Sequence, residues 1–358
     1  MAHRLLIYGV TGYVGGMVAR AAYDQGFVPV LAGRDGGGTL KAAAEYGFDA
    51  LSLQPDDTEN LTNVLADMDA VLLTAGPFAE TSAPMVEACL RSGTHYVDIN
   101  SEIDVFEACA ALDARAKKAG VMLLSGGGFD VVASDCLAAH VAGQMANAST
   151  LTLGIRGYNR TSRGTRKMMV DVMGDGVPVR RDGRIVTLQR PKHRKLDFGN
   201  GPEKAVTFGW GDVATAYHST GVPNVEVYFS ASRQMQGMAR RYSRYGWLLR
   251  QDFMKDRQLR RAARGQAGPT ERQRNKSRIS LWAKAESDQG RIAEAILETP
   301  DAYSFTVASA LEIARRVLKG DLKPGYQTPS TAYGADFVMS FDGVTRKDIA
   351  IGHAEVKM

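Results

Sequence analysis

Three glycines, Gly9, Gly12 and Gly15, follow the short apolar run Leu5-Leu6-Ile7-Tyr8 and open a stretch in which Val14, Val18, Ala21 and Ala22 recur at helical spacing. A buried strand, a glycine turn and a helix start make a cradle for a diphosphate. Gly9 allows a sharp turn off the strand, Gly12 lets a phosphate approach the backbone, and Gly15 lets the helix lie close. The N–H groups of the first helical turn then face negative charge. Gly9, Thr11, Gly12, Tyr13, Val14 and Gly15 are therefore the predicted diphosphate ligands.

A second apolar run, Val28 to Ala32, ends in Gly33-Arg34. The end of the second strand of such a fold meets the adenine ribose. An arginine there offers a charged fork to a 2′-phosphate, as in NADP, whereas an acid would favour NAD. Asp35 follows directly, which leaves both cofactors open at this point, with Arg34 favouring NADP. Gly76-Pro77-Phe78 ends a later strand and is expected to border the nicotinamide ribose. Tyr96, Asp98 and Asp130 are proton-donor candidates on position alone, and both aspartates also read as helix caps. No tyrosine has a lysine four places on, which excludes the Tyr-x-x-x-Lys reductase mechanism.

The elements that must hold these residues alternate along residues 1–135. Strands are read at Ala50–Leu53, Ala70–Leu73, His95–Ile99 and Val121–Leu124. Helices are read at Leu40–Tyr46, from Thr58 to Ala66, at Ser82–Arg91 and from Ile103 to Lys118. Alternation with short connections implies a doubly wound parallel sheet of the Rossmann type. Its ligand crevice is expected where Gly76–Phe78, Asp98–Glu102 and Gly126–Asp130 end their strands.

Residues 136–300 read differently. A strand at Leu151–Ile155, a hairpin turn at Asp182-Gly183, an alternating strand at Val225–Phe229 and a hairpin joining Ser280–Ala285 to Arg291–Leu297 imply an α+β substrate domain with a mostly antiparallel sheet. That sheet is read as a homodimer surface. Thr165 with Arg163 or Arg166 at a helix start fits a substrate carboxylate, or a plain capped helix, and His218 reads as a loop histidine or an acid. Within residues 233–278, 14 Arg and Lys stand against three Asp and Glu, so the remainder of the chain is net negative. Met235, Met238, Tyr242, Tyr245, Leu249 and Phe253 recur there at helical spacing. The stretch is read as a basic amphipathic helical insertion that either packs on its own domain or touches an anionic membrane surface or acyl carrier. Residues 301–358, with a helix from Tyr303 to Lys319, are expected to return to the first domain.

With 358 residues, 44% hydrophobic and 23% charged, the chain fits two soluble domains. Cys89, Cys109 and Cys136 have no metal or redox spacing and read as buried thiols in a reducing, cytoplasmic setting. No metal site, signal peptide, membrane span or nucleic-acid module is read.

Five motifs together, Gly9–Gly15 (GVTGYVG), Leu31–Arg34 (LAGR), Ala75–Phe78 (AGPF), His95–Glu102 (HYVDINSE) and Gly126–Asp135 (GGGFDVVASD), resemble the saccharopine dehydrogenase-like NADP-binding oxidoreductase family, which includes trans-acting enoyl reductases. Ala133 stands where the family usually has proline. The resemblance implies a Rossmann domain, NADP(H), a second α+β domain, a turn at Ser162–Thr165 facing the nicotinamide in the interdomain cleft, and a closing motif at Thr328-Pro329 and Tyr333-Gly334. The function expected is NADP(H)-dependent hydride transfer to or from a polarised C=N or C=O bond of a small carboxylate-bearing substrate. A trans-acting enoyl reductase working on a carrier- or lipid-bound acyl chain is the first alternative, and a non-catalytic NADP-binding sensor or scaffold the second.

Overall fold

Strands β1 (Leu5–Tyr8), β2 (Val30–Gly33) and β4 (Ala70–Leu73) are buried at every residue. Such continuous apolar runs need cover on both faces, which a parallel sheet wrapped by helices provides. The computed structural model describes residues 4–158, 162–163, 176–230, 257, 260–261 and 266–353. It divides into two units, Met1–Val132 with Tyr303–Gly334 and Ala133–Ala302 with Ala335–Met358.

In the first unit β3 (Ala50–Ser52), β5 (His95–Asp98) and β6 (Met122–Leu124) join the central strands in the order β6-β5-β4-β1-β2-β3, all parallel. This order reverses between β1 and β4, the switch point at which doubly wound sheets place their ligands. The connecting helices are α1 (Tyr13–Asp24), α2 (Gly36–Ala44), α3 (Thr58–Leu65), α4 (Phe78–Ser92), α5 (Ile103–Ala111) and α6 (Asp113–Ala119). Four differ from the sequence reading, and of these α4 begins at Phe78, ahead of the expected Ser82. Helix α2 starts at Gly36, because the Asp35 carboxylate accepts from the Gly38 N–H and caps a glycine run that carries no apolar period. Asp57, not Thr58, caps α3. The helix expected from Ile103 to Lys118 breaks at Leu112, and α6 restarts on Asp113, whose carboxylate accepts from the Tyr326 N–H. That bond holds a seventh parallel strand, Gly325–Gln327 (β15 in chain order), beside β6.

Helix α7 (Phe129–Gly143) carries the chain into the second unit. Its sheet follows the order β10-β11-β12-β7-β13-β14-β16, from β7 (Thr150–Arg156), β10 (His193–Asp197), β11 (Pro202–Thr207), β12 (Asn224–Ser230), β13 (Ile279–Glu286), β14 (Arg291–Thr299) and β16 (Thr345–His353). All neighbours are antiparallel except β7 and β12. A hairpin of β8 (Val177–Arg181) and β9 (Arg184–Leu188) leans on β12, turning through Asp182 and Gly183 at φ 48° and 76°. The tail corrects one expectation. Residues 303–334 lie in the first unit, but β16 pairs with β14 in the second. Arg346, Lys347 and Asp348 interrupt the apolar alternation of that strand, which hides it in the sequence.

Candidate dinucleotide site

Gly9 leaves β1 at φ 102°, and a Cβ on it would stand 2.7 Å from the Ala75 backbone nitrogen. Only glycine fits so close an approach of the β1 and β4 ends. A Cβ on Gly15 would lie 2.2 Å from the Gly9 carbonyl oxygen and 2.7 Å from the Thr74 hydroxyl, so this glycine seats α1 against its own loop. Gly12 is different. It is exposed, and a Cβ there would meet only the Gly9 carbonyl oxygen, at 3.2 Å. Its open side is a cradle that a methyl group would fill.

Electrostatics single out the same turn. The first turns of α2 and α3 are met by the carboxylates of Asp35 and Asp57. That of α4 is met by Glu102, which accepts from the Phe78 and Ala79 N–H groups at 3.0 and 2.9 Å. Helix α1 has Gly12 as its N-cap, no side-chain cap and no acidic residue in its first turn. Its positive end is left for an external anion, as a diphosphate requires.

Beside this loop, Arg34 is exposed and, among the described residues, has no carboxylate at ion-pair distance. Asp35 is committed to capping α2. The pair left ambiguous by sequence is thereby divided: the acid serves the helix and the arginine stays available. A Cβ on Gly38 would lie 2.9 Å from the Thr11 methyl, so the glycine-rich start of α2 brings the Arg34 loop against the turn between β1 and α1. Beneath them the Tyr8 hydroxyl donates to the Leu53 carbonyl at 2.8 Å, and burial pushes its pKa up to about 12. It is a strut of the site and not an acid.

At the end of β4, the Thr81 hydroxyl donates to the Ala75 carbonyl, the Gly76–Pro77 peptide is cis, and Phe78 packs on the core. Gly76 and Pro77 are exposed. Next to this wall, Tyr96 and Asp98 are fully buried. The Asp98 carboxylate accepts from the Tyr96 hydroxyl at 2.7 Å, the Asn100 amide, the Ser125 hydroxyl at 2.9 Å and the Gly126 N–H at 2.7 Å. Burial raises the pKa of Asp98 against these bonds, and burial, followed by the Asp98 charge, raises that of Tyr96. Closed off from solvent and bonded to each other, the pair ties β5 to β6. Both of these proton-donor candidates therefore lie in this buried hydrogen-bonded group and not on an exposed surface.

The Gly126–Asp130 loop is likewise covered. Helix α10 (Ala302–Leu318; α8, Asp212–Thr220, and α9, Glu271–Asn275, precede it) packs over it. The Thr306 hydroxyl accepts from the Phe129 N–H, and the Ser309 hydroxyl donates to the Gly127 carbonyl. Residues 126–129 are buried and only Asp130, in the first turn of α7, is half-buried. Tyr303, from the start of α10, sets its ring edge-on to Tyr13 at 5.3 Å. The sequence reading set Asn100 and Glu102 at the crevice without their hydrogen-bonding roles, and it missed Tyr303. The signal for the first two was the run Tyr96, Asp98, Asn100, Glu102, polar residues at period two running off the end of a strand.

Residues 5–124 match the family described as the saccharopine dehydrogenase NADP binding domain. That match lies within the first domain; its cofactor is NADP(H), and the uncapped glycine loop fits it. Trans-acting enoyl reductases of Mycobacterium leprae and Mycobacterium tuberculosis are 28% identical over 141 and 139 residues, in each case 37% of this chain and 33% of the relative. The chain thus matches about a third of the length of these curated relatives. The apo saccharopine dehydrogenase (L-Glu forming) of Saccharomyces cerevisiae shares the fold at a TM-score of 0.64 and 14% identity, over 98% of this chain and 100% of that one.

Outside the NADP-binding domain, His218 lies half-buried in α8 beside the Tyr217 ring. Gly164, Thr165 and Arg166 lie outside the described residues, as do most of residues 233–278, including Arg240, Arg241 and Arg244. The described end of that stretch carries α9, opened by a Thr270–Gln273 capping box. Among the described residues no cluster of three or more His, Cys, Asp or Glu could hold a metal ion.

Proposed function

We propose that this protein is an NADP(H)-dependent oxidoreductase acting on a polarised C=N or C=O bond of a small carboxylate-bearing substrate. The observation that carries the reading is the N-terminus of α1, without a side-chain cap over an open Gly12, with an exposed Arg34 just past the end of β2 that has no carboxylate at ion-pair distance among the described residues. In this reading Gly9, Thr11, Gly12, Tyr13, Val14 and Gly15 hold the diphosphate through backbone N–H groups. Gly33 and Arg34 hold the adenosine 2′-phosphate. Gly76, Pro77 and Phe78 border the nicotinamide ribose. The reduced cofactor, when bound, supplies a hydride, and the chain supplies position and exclusion of water.

The trans-acting enoyl reductase relatives favour a second reading, reduction of a conjugated C=C bond in a carrier-bound acyl chain with residues 233–278 as the docking surface. Consumption of NADPH in the presence of keto acids, keto acids with amines, and enoyl thioesters separates the two. Turnover of keto acids or imines is expected. Turnover confined to carrier-bound enoyl chains, and lost when Arg240, Arg241 and Arg244 are changed to Glu, would install the second reading instead. NADPH binding without turnover of any substrate would leave a sensor or scaffold.

A further inference from the structure

Glu102 stands at the junction of three strand ends. Its carboxylate accepts from the N–H groups of Phe78 and Ala79, the first two residues after Pro77. Its own N–H donates to the Asn100 side-chain oxygen at 2.8 Å, while the Asn100 amide nitrogen donates to Asp98 and to Ser125. Asp98 in turn accepts from the Gly126 N–H. One run of hydrogen bonds therefore links the wall at 76–79 to the ends of β5 and β6, and its buried members, Asp98, Asn100 and Ser125, cannot move independently. Among the described residues, Glu102 joins this anchored run to the wall through a charged carboxylate that accepts two backbone N–H groups.

We infer that Glu102 is a positioning residue, fixing the Gly76-Pro77-Phe78 wall, exposed at Gly76 and Pro77, so that it receives the nicotinamide half of NADP(H). This rests on the assignment of that wall to the nicotinamide end. Glu102 also occupies the positive end of α4, the second helix terminus next to the sheet's switch point, and so leaves α1 to take the diphosphate. Loss of Glu102 is then felt at one half of the ligand only. The adenosine half, held at Arg34 and the glycine loop, is untouched.

The test compares NADPH with adenosine 2′,5′-bisphosphate, which lacks the nicotinamide, on wild type, Glu102→Ala and Glu102→Gln. Affinities come from calorimetry, and the fluorescence of bound NADPH reports how firmly the nicotinamide is held. The expected result is about a tenfold loss of NADPH affinity in Glu102→Ala with a weakened fluorescence change, a smaller loss in Glu102→Gln, and unchanged bisphosphate affinity in all three. Should Glu102→Ala fail to fold, Glu102→Gln, which keeps one acceptor oxygen, carries the comparison. Unchanged NADPH affinity, or parallel loss of both ligands, would overturn the inference. Tight bisphosphate binding by wild type with no gain from the nicotinamide half would instead overturn the assignment of the wall.

Discussion

Gly12 and Gly15 belong to one loop, yet a methyl group does different harm at each. On Gly15 it would collide with the Gly9 carbonyl and the Thr74 hydroxyl, both parts of the framework. Gly15→Ala should therefore cost about 2 kcal/mol of stability or more, read as a lowered denaturation midpoint. On Gly12 the methyl would stand in the open cradle. Gly12→Ala should leave the melting temperature nearly unchanged and weaken NADPH binding by about tenfold or more. A stability loss at Gly12 with intact NADPH binding would show that the loop is built for packing alone. The tight turn through Gly9 and Gly15 was legible in the sequence because so close a backbone approach leaves few residue choices. The burial of Tyr96 and Asp98 was not legible, because position along a strand does not tell which polar groups will turn inward and satisfy each other.

Among the elements, α4 and α6 are clipped together by Glu87, which bonds Arg115 at 2.6 and 3.0 Å and Arg91 at 2.6 Å. The two guanidinium groups, Arg115 first, draw the Glu87 pKa down to about 2. A carboxylate whose pKa falls on folding stabilises the folded state above its unfolded pKa, and that contribution fades as pH drops through the folded value. Glu87→Gln should thus cost about 1 kcal/mol at neutral pH, the partners being half-exposed, and the difference from wild type should close between pH about 4.5 and about 2. Urea denaturation at several pH values checks this, and a difference independent of pH would refute the ion-pair account. The strands of the first sheet were legible as unbroken apolar runs. The break at Leu112 and the short strand Gly325–Gln327 were not, since both depend on Asp113 reaching a distant backbone N–H. Likewise, nothing local announces that α10 will cover Gly126–Gly128. Those glycines looked like ligand-binding loop and are instead where a helix lies close: a Cβ on Gly127 or Gly128 would press on Ile313 or Thr306.

For the molecule as a whole, a parallel seven-stranded sheet and a mostly antiparallel nine-stranded one are each closed by chain from the far C-terminal segment. That division of the tail escaped the sequence because the helix 302–318 and strand 345–353 serve different units. Among the described residues no helix is long and apolar enough to cross a membrane. The central claim is that the first unit is an NADP(H) site read by Arg34, and titration of the full chain with NADPH and NADH, in wild type and Arg34→Ala, tests it most directly. The account predicts that wild type binds NADPH at least about tenfold more tightly than NADH and that Arg34→Ala removes this preference while leaving NADH affinity unchanged. Equal affinities for the two nucleotides in wild type, or an undiminished preference in Arg34→Ala, would contradict it.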